Sequence, residues 1–337
     1  MNEADMKKLI STTAAITSSL LVVLAASEVE ARLQATSKKT DREEAGFIGP
    51  VQIVQARTAF LLSEDGKPPE EIPALLHKIE YDAAGHEIAK GTYFRDGSPD
   101  TGSTTKYDPR GNVIERTYFV HGSPTFRHVI TYDEKDREIL AVEYHPNGSV
   151  WNSHRTVYKL EGRLKETTEY SSQEIPQGKT ETLYDDKGRI VEEKRYRHGS
   201  LERKCAYTYK AKGNEEEESA CCVSKGSTEC SKQKYIYDDK SRIVEKQSYR
   251  QNLLTGRETA QYDSAGNVIE EIKYDGKGNI EEKSTFKYLE FDSRGNWLKA
   301  IVETDSKYSK SSMGRKIVWY RVITYFGGNS VAAIGKN

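Results

Sequence analysis

The sequence predicts an all-β protein: a tandem array of about nine β-hairpin units of ~26 residues, forming a curved or spiralling antiparallel sheet. Three observations predict it. An aromatic residue recurs at Tyr81, Tyr107, Tyr132, Tyr158, Tyr184, Tyr209, Tyr237, Tyr262 and Phe291, at intervals of 26, 25, 26, 26, 25, 28, 25 and 29 residues. The same turn pattern follows it, and strand-forming runs lie on both sides.

Taking the aromatic as position zero, Asp follows it in seven of nine units and Gly stands at plus four in seven, so one turn type serves the array. The Asp carboxylate accepts from the backbone two residues on, and Gly takes the positive-φ position that closes a type I turn. This is a hairpin connection of the longer kind. Residues at minus two and zero share a face, as in Ile79/Tyr81 and Tyr235/Tyr237, and apolar pairs such as Ile190-Val191 and Val268-Ile269 follow the turn. A second aromatic recurs at plus twelve (Tyr93, Phe119, Tyr144, Tyr170, Tyr196, Tyr249 and Tyr274) on the face set by plus six and plus ten. Twenty-one Tyr against eight Phe suits strands that are only half covered, because a Tyr ring buries area while its hydroxyl reaches water. Stacked units predict ladders of aromatic pairs. Tyr81, Tyr107, Tyr132, Tyr158, Tyr184, Tyr209, Tyr237 and Tyr262 are first of all structural, and their exposed members are the candidate binding positions.

Composition sets the bounds. With 36% hydrophobic and 31% charged residues, a thick core is excluded and half-solvated sheet is favoured. Residues 1–31 read as a secretory signal: Lys7 and Lys8 precede a Leu20–Ala26 apolar heart, and Val29-Glu30-Ala31 suits cleavage. Its removal takes two Lys and four acidic residues from totals of 51 and 52, leaving a net charge of +1 and no field to favour nucleic acid. No membrane span is expected after cleavage, and the location is secreted or periplasmic. Residues 32–46 read as a flexible lead-in, 47–80 as an atypical N-terminal capping hairpin, 81–326 as the array, 288–326 as its C-terminal cap, and 327–337 as a disordered tail.

The unit spanning 205–236 is irregular. It holds the run Glu215–Glu218 and all four cysteines, Cys205, Cys221, Cys222 and Cys230. An even cluster in an exported chain predicts two local disulfides, with three pairings open and the vicinal one strained. Zinc is the alternative, but the paired Cys-x-x-Cys spacing is missing. The Glu run reads as a solvated loop. The seven His form no metal-ligating pattern, and no nucleophile elbow, phosphate loop or dinucleotide fingerprint is present. Catalytic, cofactor and metal residues are therefore expected to be none. Equivalent turn aspartates also lack the contrasting environments that acid/base work needs.

The Tyr-Asp-x-x-Gly-Asn/Arg units at Tyr81, Tyr107, Tyr184 and Tyr262, with weaker copies at Tyr132, Tyr158, Tyr209 and Tyr237, resemble the YD repeats of the Rhs family over residues 49–326. The resemblance implies hairpins that spiral into a hollow shell. Family members include bacterial toxin shells and adhesion proteins, and some YD repeats are linked to carbohydrate binding. The chain departs from the toxin pattern in being short and without an effector region or self-cleaving core; Asp108-Pro109-Arg110-Gly111 is only superficially similar. The expectation is an exported, non-enzymatic binding module for a glycan or protein partner. The alternatives are a structural envelope protein or toxin-shell-like fragment, then a glycan-active enzyme.

Overall fold

The computed structural model describes residues 39–62, 70–94, 96–307, 315–328 and 330–332. The expected signal segment lies outside the described residues, as does the first part of the lead-in. One short helix, α1 (Asp41–Glu44), precedes the strands. These are β1 (Val51–Leu62), β2 (Glu70–Tyr81), β3 (Glu87–Tyr93), β4 (Pro99–Tyr107), β5 (Val113–Val120), β6 (Ser123–Tyr132), β7 (Glu138–Tyr144), β8 (Val150–Lys159), β9 (Leu164–Ser171) and β10 (Pro176–Tyr184). They continue as β11 (Ile190–Arg197), β12 (Ser200–Lys212), β13 (Glu215–Ser224), β14 (Ser227–Tyr237), β15 (Ile243–Arg250), β16 (Leu253–Tyr262), β17 (Val268–Asp275), β18 (Ile280–Phe291), β19 (Trp297–Ser306), β20 (Arg315–Tyr325) and β21 (Val331–Ala332).

The turns form as their residues dictate. In the turn after β10, the Asp185 carboxylate accepts from the backbone N–H groups of Lys187 and Arg189, each at 2.9 Å, and Gly188 sits at φ 75°. Where glycine is missing, Asp136 and Ser241 take the same left-handed conformation at φ 58° and 61°. While β8–β9, β12–β13 and β13–β14 pair without a break, the strand register slips by one residue beside many of the turns, as at Tyr184↔Ile190 and Tyr262↔Val268. Such a bulge sharpens the local twist.

Each strand pairs antiparallel with the next from β1 to β20, and β1 then pairs with β20, from Val51↔Tyr325 to Phe60↔Ile317. The sheet is therefore a closed barrel of 20 strands, not an open or spiralling array. Closure removes the edges that capping units would protect. This corrects two expectations. Residues 47–80 and 288–326 are not caps: the first and last long strands are members of the ring, joined to each other along its seam. Two smaller corrections accompany it. Part of the expected lead-in is α1, whose Thr40 and Glu43 form a reciprocal capping box and whose Asp41 accepts from the Glu87 backbone at 2.7 Å. Part of the expected disordered tail is β21, paired with β20 through Val322↔Ala332 and Ile323↔Val331.

Twenty strands spaced ~4.8 Å apart give, before strand tilt widens it, a perimeter of roughly 95 Å, so the ring is at least about 30 Å across, too wide for side chains to fill. Burial agrees. Every residue of β9 is half-buried, and so is every residue of β5 but its last, where a strand between core and water would alternate. The wall is a single layer. Its side chains cover one another along each face. Among the described residues a conventional core is found at the seam, where Phe47, Val51, Val54, Tyr81, Leu298, Ile323 and Tyr325 cluster.

Candidate functional site

Alternation along the strands gives the wall two chemically distinct faces. Tyr184 shares one with Thr182 and its partner Glu193, whereas Tyr196 shares the other with Lys194 and Glu192. Position-zero and plus-twelve aromatics thus point to opposite sides.

On the first face, position-zero hydroxyls donate to backbone carbonyls of a neighbouring hairpin: Tyr107 to Glu87, Tyr132 to Val113, Tyr158 to Glu138, Tyr209 to Ile190 and Tyr262 to Ile243, at 2.9–3.2 Å. Tyr237 donates to the Glu216 carboxylate at 3.0 Å. The Tyr184 backbone N–H donates to the Arg163 carbonyl at 2.8 Å, and its side chain is half-buried. Tyr81 is buried in the seam core, 6.1 Å edge-on to Phe47. The rings do not stack on one another as aromatic ladders. Equivalent tyrosines stand two strands apart, about 10 Å, so the space is filled by the residue at plus five of the preceding turn. Arg137 lies 4.3 Å over Tyr158, Arg189 4.6 Å over Tyr209, Arg242 4.4 Å over Tyr262, and His86 stacks 4.6 Å from Tyr107. The same plus-five residue bonds the turn carboxylate, as Arg242 does to Asp238 at 2.7 Å. Each of these four turns therefore bonds its own carboxylate and covers the next unit's ring.

The second face is a lattice of ions. Glu115 lies between Lys106 at 2.7 Å and Arg127 at 3.0 Å, and Arg127 covers Tyr144 at 4.6 Å. Glu192 pairs with Lys194 and Lys204 at 2.6 and 2.7 Å. Lys179, Lys232 and Arg257 lie over Tyr196, Tyr249 and Tyr274. The run Glu215–Glu218 belongs to this wall and is not a loop: it begins β13, with Glu217 between Lys210 and Lys232 and Glu215 beside Lys234.

The cysteines pair as Cys205–Cys222 and Cys221–Cys230, between directly opposed residues of β12, β13 and β14. Adjacent residues of a strand face opposite sides, which separates Cys221 from Cys222 and puts one bridge on each face. Zinc is thereby set aside for this cluster. Among the described residues no group of three or more metal-ligating side chains comes together.

Electrostatics follow the turns. Side-chain and backbone hydrogen bonds from Arg242 hold Asp238 at about 2, and those from Arg137 and Asn279 do the same for Asp133 and Asp275. Glu271 is different: burial raises it, Lys273 opposes that, and Glu258 and Glu282 add to the rise. At the seam, burial draws Arg321 down to about 9, against Tyr288 and Tyr81, and its guanidinium lies 3.3 Å over the Trp297 ring and 5.1 Å from that of Phe47.

The two rims also differ. One carries the Asp-x-x-Gly turns, tied to each other by contacts such as Arg110–Asp136 at 2.7 Å and Arg163–Asp186 at 3.2 Å. At the other, every hairpin from β3/β4 to β17/β18 exposes an apolar side chain beside its turn. Phe94, Val120, Trp151 and Ile175 serve the first four, and Leu201, Val223, Leu253 and Ile280 the next four. Leu253 is 72% exposed and Trp151 51%, the latter stacked on His145. Aligning the repeats misses this ring, because the loops that carry it differ in length and put the apolar residue at no fixed offset. Its one sequence signal was an apolar residue beside each turn former.

No protein family matches the chain, and no curated protein does. Among solved structures, a porin-like protein from Bacteroides uniformis matches 82% of this chain and 98% of its own at 11% identity, with a TM-score of 0.32. A porin-like protein from Bacteroides vulgatus matches 83% and 99% at 12% identity, with a TM-score of 0.22. At these values the closed barrel stands on its own strand pairing.

Proposed function

We propose that this chain is an exported hollow barrel that presents its surface to a glycan or protein partner at the envelope or outside the cell, without catalysis. The observation that carries this reading is the single-layer closed wall, whose two faces are both polar and both within reach of solutes. The two disulfides fit an oxidising compartment. A place outside the hydrocarbon layer is part of the reading. Arg or Lys facing lipid at the bilayer midplane costs ~2–4 kcal/mol each, and both faces carry them in mid-strand, Arg116, Arg195 and Lys246 on one and Arg127, Lys194 and Lys234 on the other. Descent from YD repeats belongs to the same proposal, supported by the Tyr-Asp-x-x-Gly turns.

A structural envelope role is the second reading, favoured by one observation: the position-zero hydroxyls and ring faces are already taken by carbonyls and cations, leaving little of them for a sugar. A glycan array probed with the purified chain, paired with crosslinking on intact cells, tests the two. Saturable binding to a defined glycan or recovery of one protein partner supports the binding role. Silence in both arms, with the chain recovered only in envelope assemblies, supports the structural one. Glycan cleavage that Glu271→Gln abolishes would overturn the non-catalytic reading.

A further inference from the structure

Among the described residues, the apolar side chains of this rim recur at every hairpin from β3/β4 to β17/β18, whereas the opposite end exposes scattered ones such as Ile48, Leu160 and Phe291. Phe94 and Trp151 touch the rings of His121 and His145. The rim's apolar side chains sit on successive hairpins, so neighbours stand roughly 10 Å apart around a circle. A protein interface needs a contiguous packed centre, which side chains so spaced do not supply. A fluid layer that closes around each one separately meets the geometry. Trp, Phe and Leu beside basic residues are the side chains that partition into the headgroup zone of a bilayer.

The charges on this rim point the same way. Lys225 and Lys277 occupy exposed turn tips, and His121, His145 and His198 stand exposed at three others. Several neighbouring acids are engaged: Glu202 with Arg197 at 3.6 Å, Glu229 with Arg250 at 3.4 Å, Glu174 with Arg155, and Asp275 with its own turn and Lys307. The opposite rim instead balances the acids of its turns with bases of the same turn, as Asp185-Asp186 with Lys187 and Arg189 and Asp238-Asp239 with Lys240 and Arg242. A second copy docked apolar rim to apolar rim would bring Lys225, Lys277 and the three histidines against themselves. Anionic phosphate headgroups would neutralise them.

From this juxtaposition we infer that the barrel stands end-on at an anionic lipid surface, with Phe94, Trp151, Leu201 and Leu253 inserted at headgroup depth and Lys225 and Lys277 on lipid phosphates. The inference rests on the rim and not on the proposed glycan or protein partner, so either stands if the other fails.

The test is co-sedimentation of the purified chain with phosphatidylcholine vesicles, with and without phosphatidylglycerol, read together with Trp emission. The expected result is binding to the phosphatidylglycerol vesicles, a blue shift from Trp151, and weakening at high salt. Each inserted side chain is worth about tenfold in affinity, so Trp151→Ser/Leu201→Ser/Leu253→Ser should weaken binding about a thousandfold. Leu160→Ser, exposed on the other rim, should leave it unchanged. All four positions are exposed, and a thermal melt confirms that each variant folds. No binding to either vesicle, binding that survives the triple substitution, or a concentration-dependent dimer abolished by it without vesicle binding would each overturn the inference.

Discussion

Asn296 joins two points 248 residues apart, and removing it tests how the seam is held. Its side-chain oxygen accepts from the Ile48 backbone N–H at 2.8 Å, and its amide donates to the Ile48 carbonyl at 2.9 Å and to the Tyr325 hydroxyl at 2.7 Å. Tyr325 in turn donates to Asp292, which accepts from the Asn296 backbone N–H at 2.9 Å. Asn296 is only 5% exposed, so Asn296→Ala leaves both backbone groups of Ile48 without this partner where water reaches them poorly. An orphaned buried group costs about 1–3 kcal/mol, which puts the substitution at about 3–4 kcal/mol. Urea unfolding followed by Trp emission reads the loss directly. Asn296→Asp should be at least as damaging, because it keeps the acceptor, loses both donors and sets a second carboxylate beside Asp292. A cost below about 1 kcal/mol for Asn296→Ala would refute the stapling role, since a single net hydrogen bond already approaches that value.

Three further outcomes are expected. Arg321→Met should change unfolding free energy by no more than about 1 kcal/mol, or raise it, because a desolvated cation held by rings is replaced by an apolar chain of similar length; a loss of several kcal/mol in urea unfolding would show that the guanidinium has a stronger role at the seam. The turn carboxylates Asp133, Asp238 and Asp275 sit at about 2 in the folded chain, below their ordinary 3.8. The unfolded chain binds more protons between those values, so the melting temperature should hold above pH ~5 and fall as pH drops from ~4 towards ~2. Reducing Cys205–Cys222 and Cys221–Cys230, which close short segments within β12–β14, should cost up to about 3 kcal/mol for either bridge alone; hydrogen exchange should rise first in those three strands.

The sequence shows the repeating unit because the unit is local. Tyr, Asp and Gly at zero, plus one and plus four specify a turn through hydrogen bonds that span four residues, as Asp185 to Arg189 illustrates. Closure is not local. Val51 and Tyr325 are neighbours in space, yet nothing in a 26-residue period distinguishes a ring from an open array, and strong β-formers at 316–326 read equally well as a cap. The covering of tyrosines was partly legible, since His86, Arg137, Arg189 and Arg242 all stand at plus five, but the bulge that aims them at the next ring appears only in the register. The Glu215–Glu218 run read as loop because charge density outweighs strand propensity in a single sequence; its cations, Lys232 and Lys234, are supplied by the following strand. The apolar rim stayed hidden because repeats of unequal loop length place it at shifting offsets.

Ring closure is best tested by a new disulfide across the seam. Gln55 and Val322 are directly opposed in the β1–β20 pairing, with Cα atoms expected about 4.5–5.5 Å apart. In Gln55→Cys/Val322→Cys, mild oxidation should form an intramolecular bond in the monomer, found as one linked peptide by mass spectrometry, with the native pairs intact. Free thiols after oxidation, or bonds formed only between molecules, would mean that the first and last long strands do not meet and that the sheet is open.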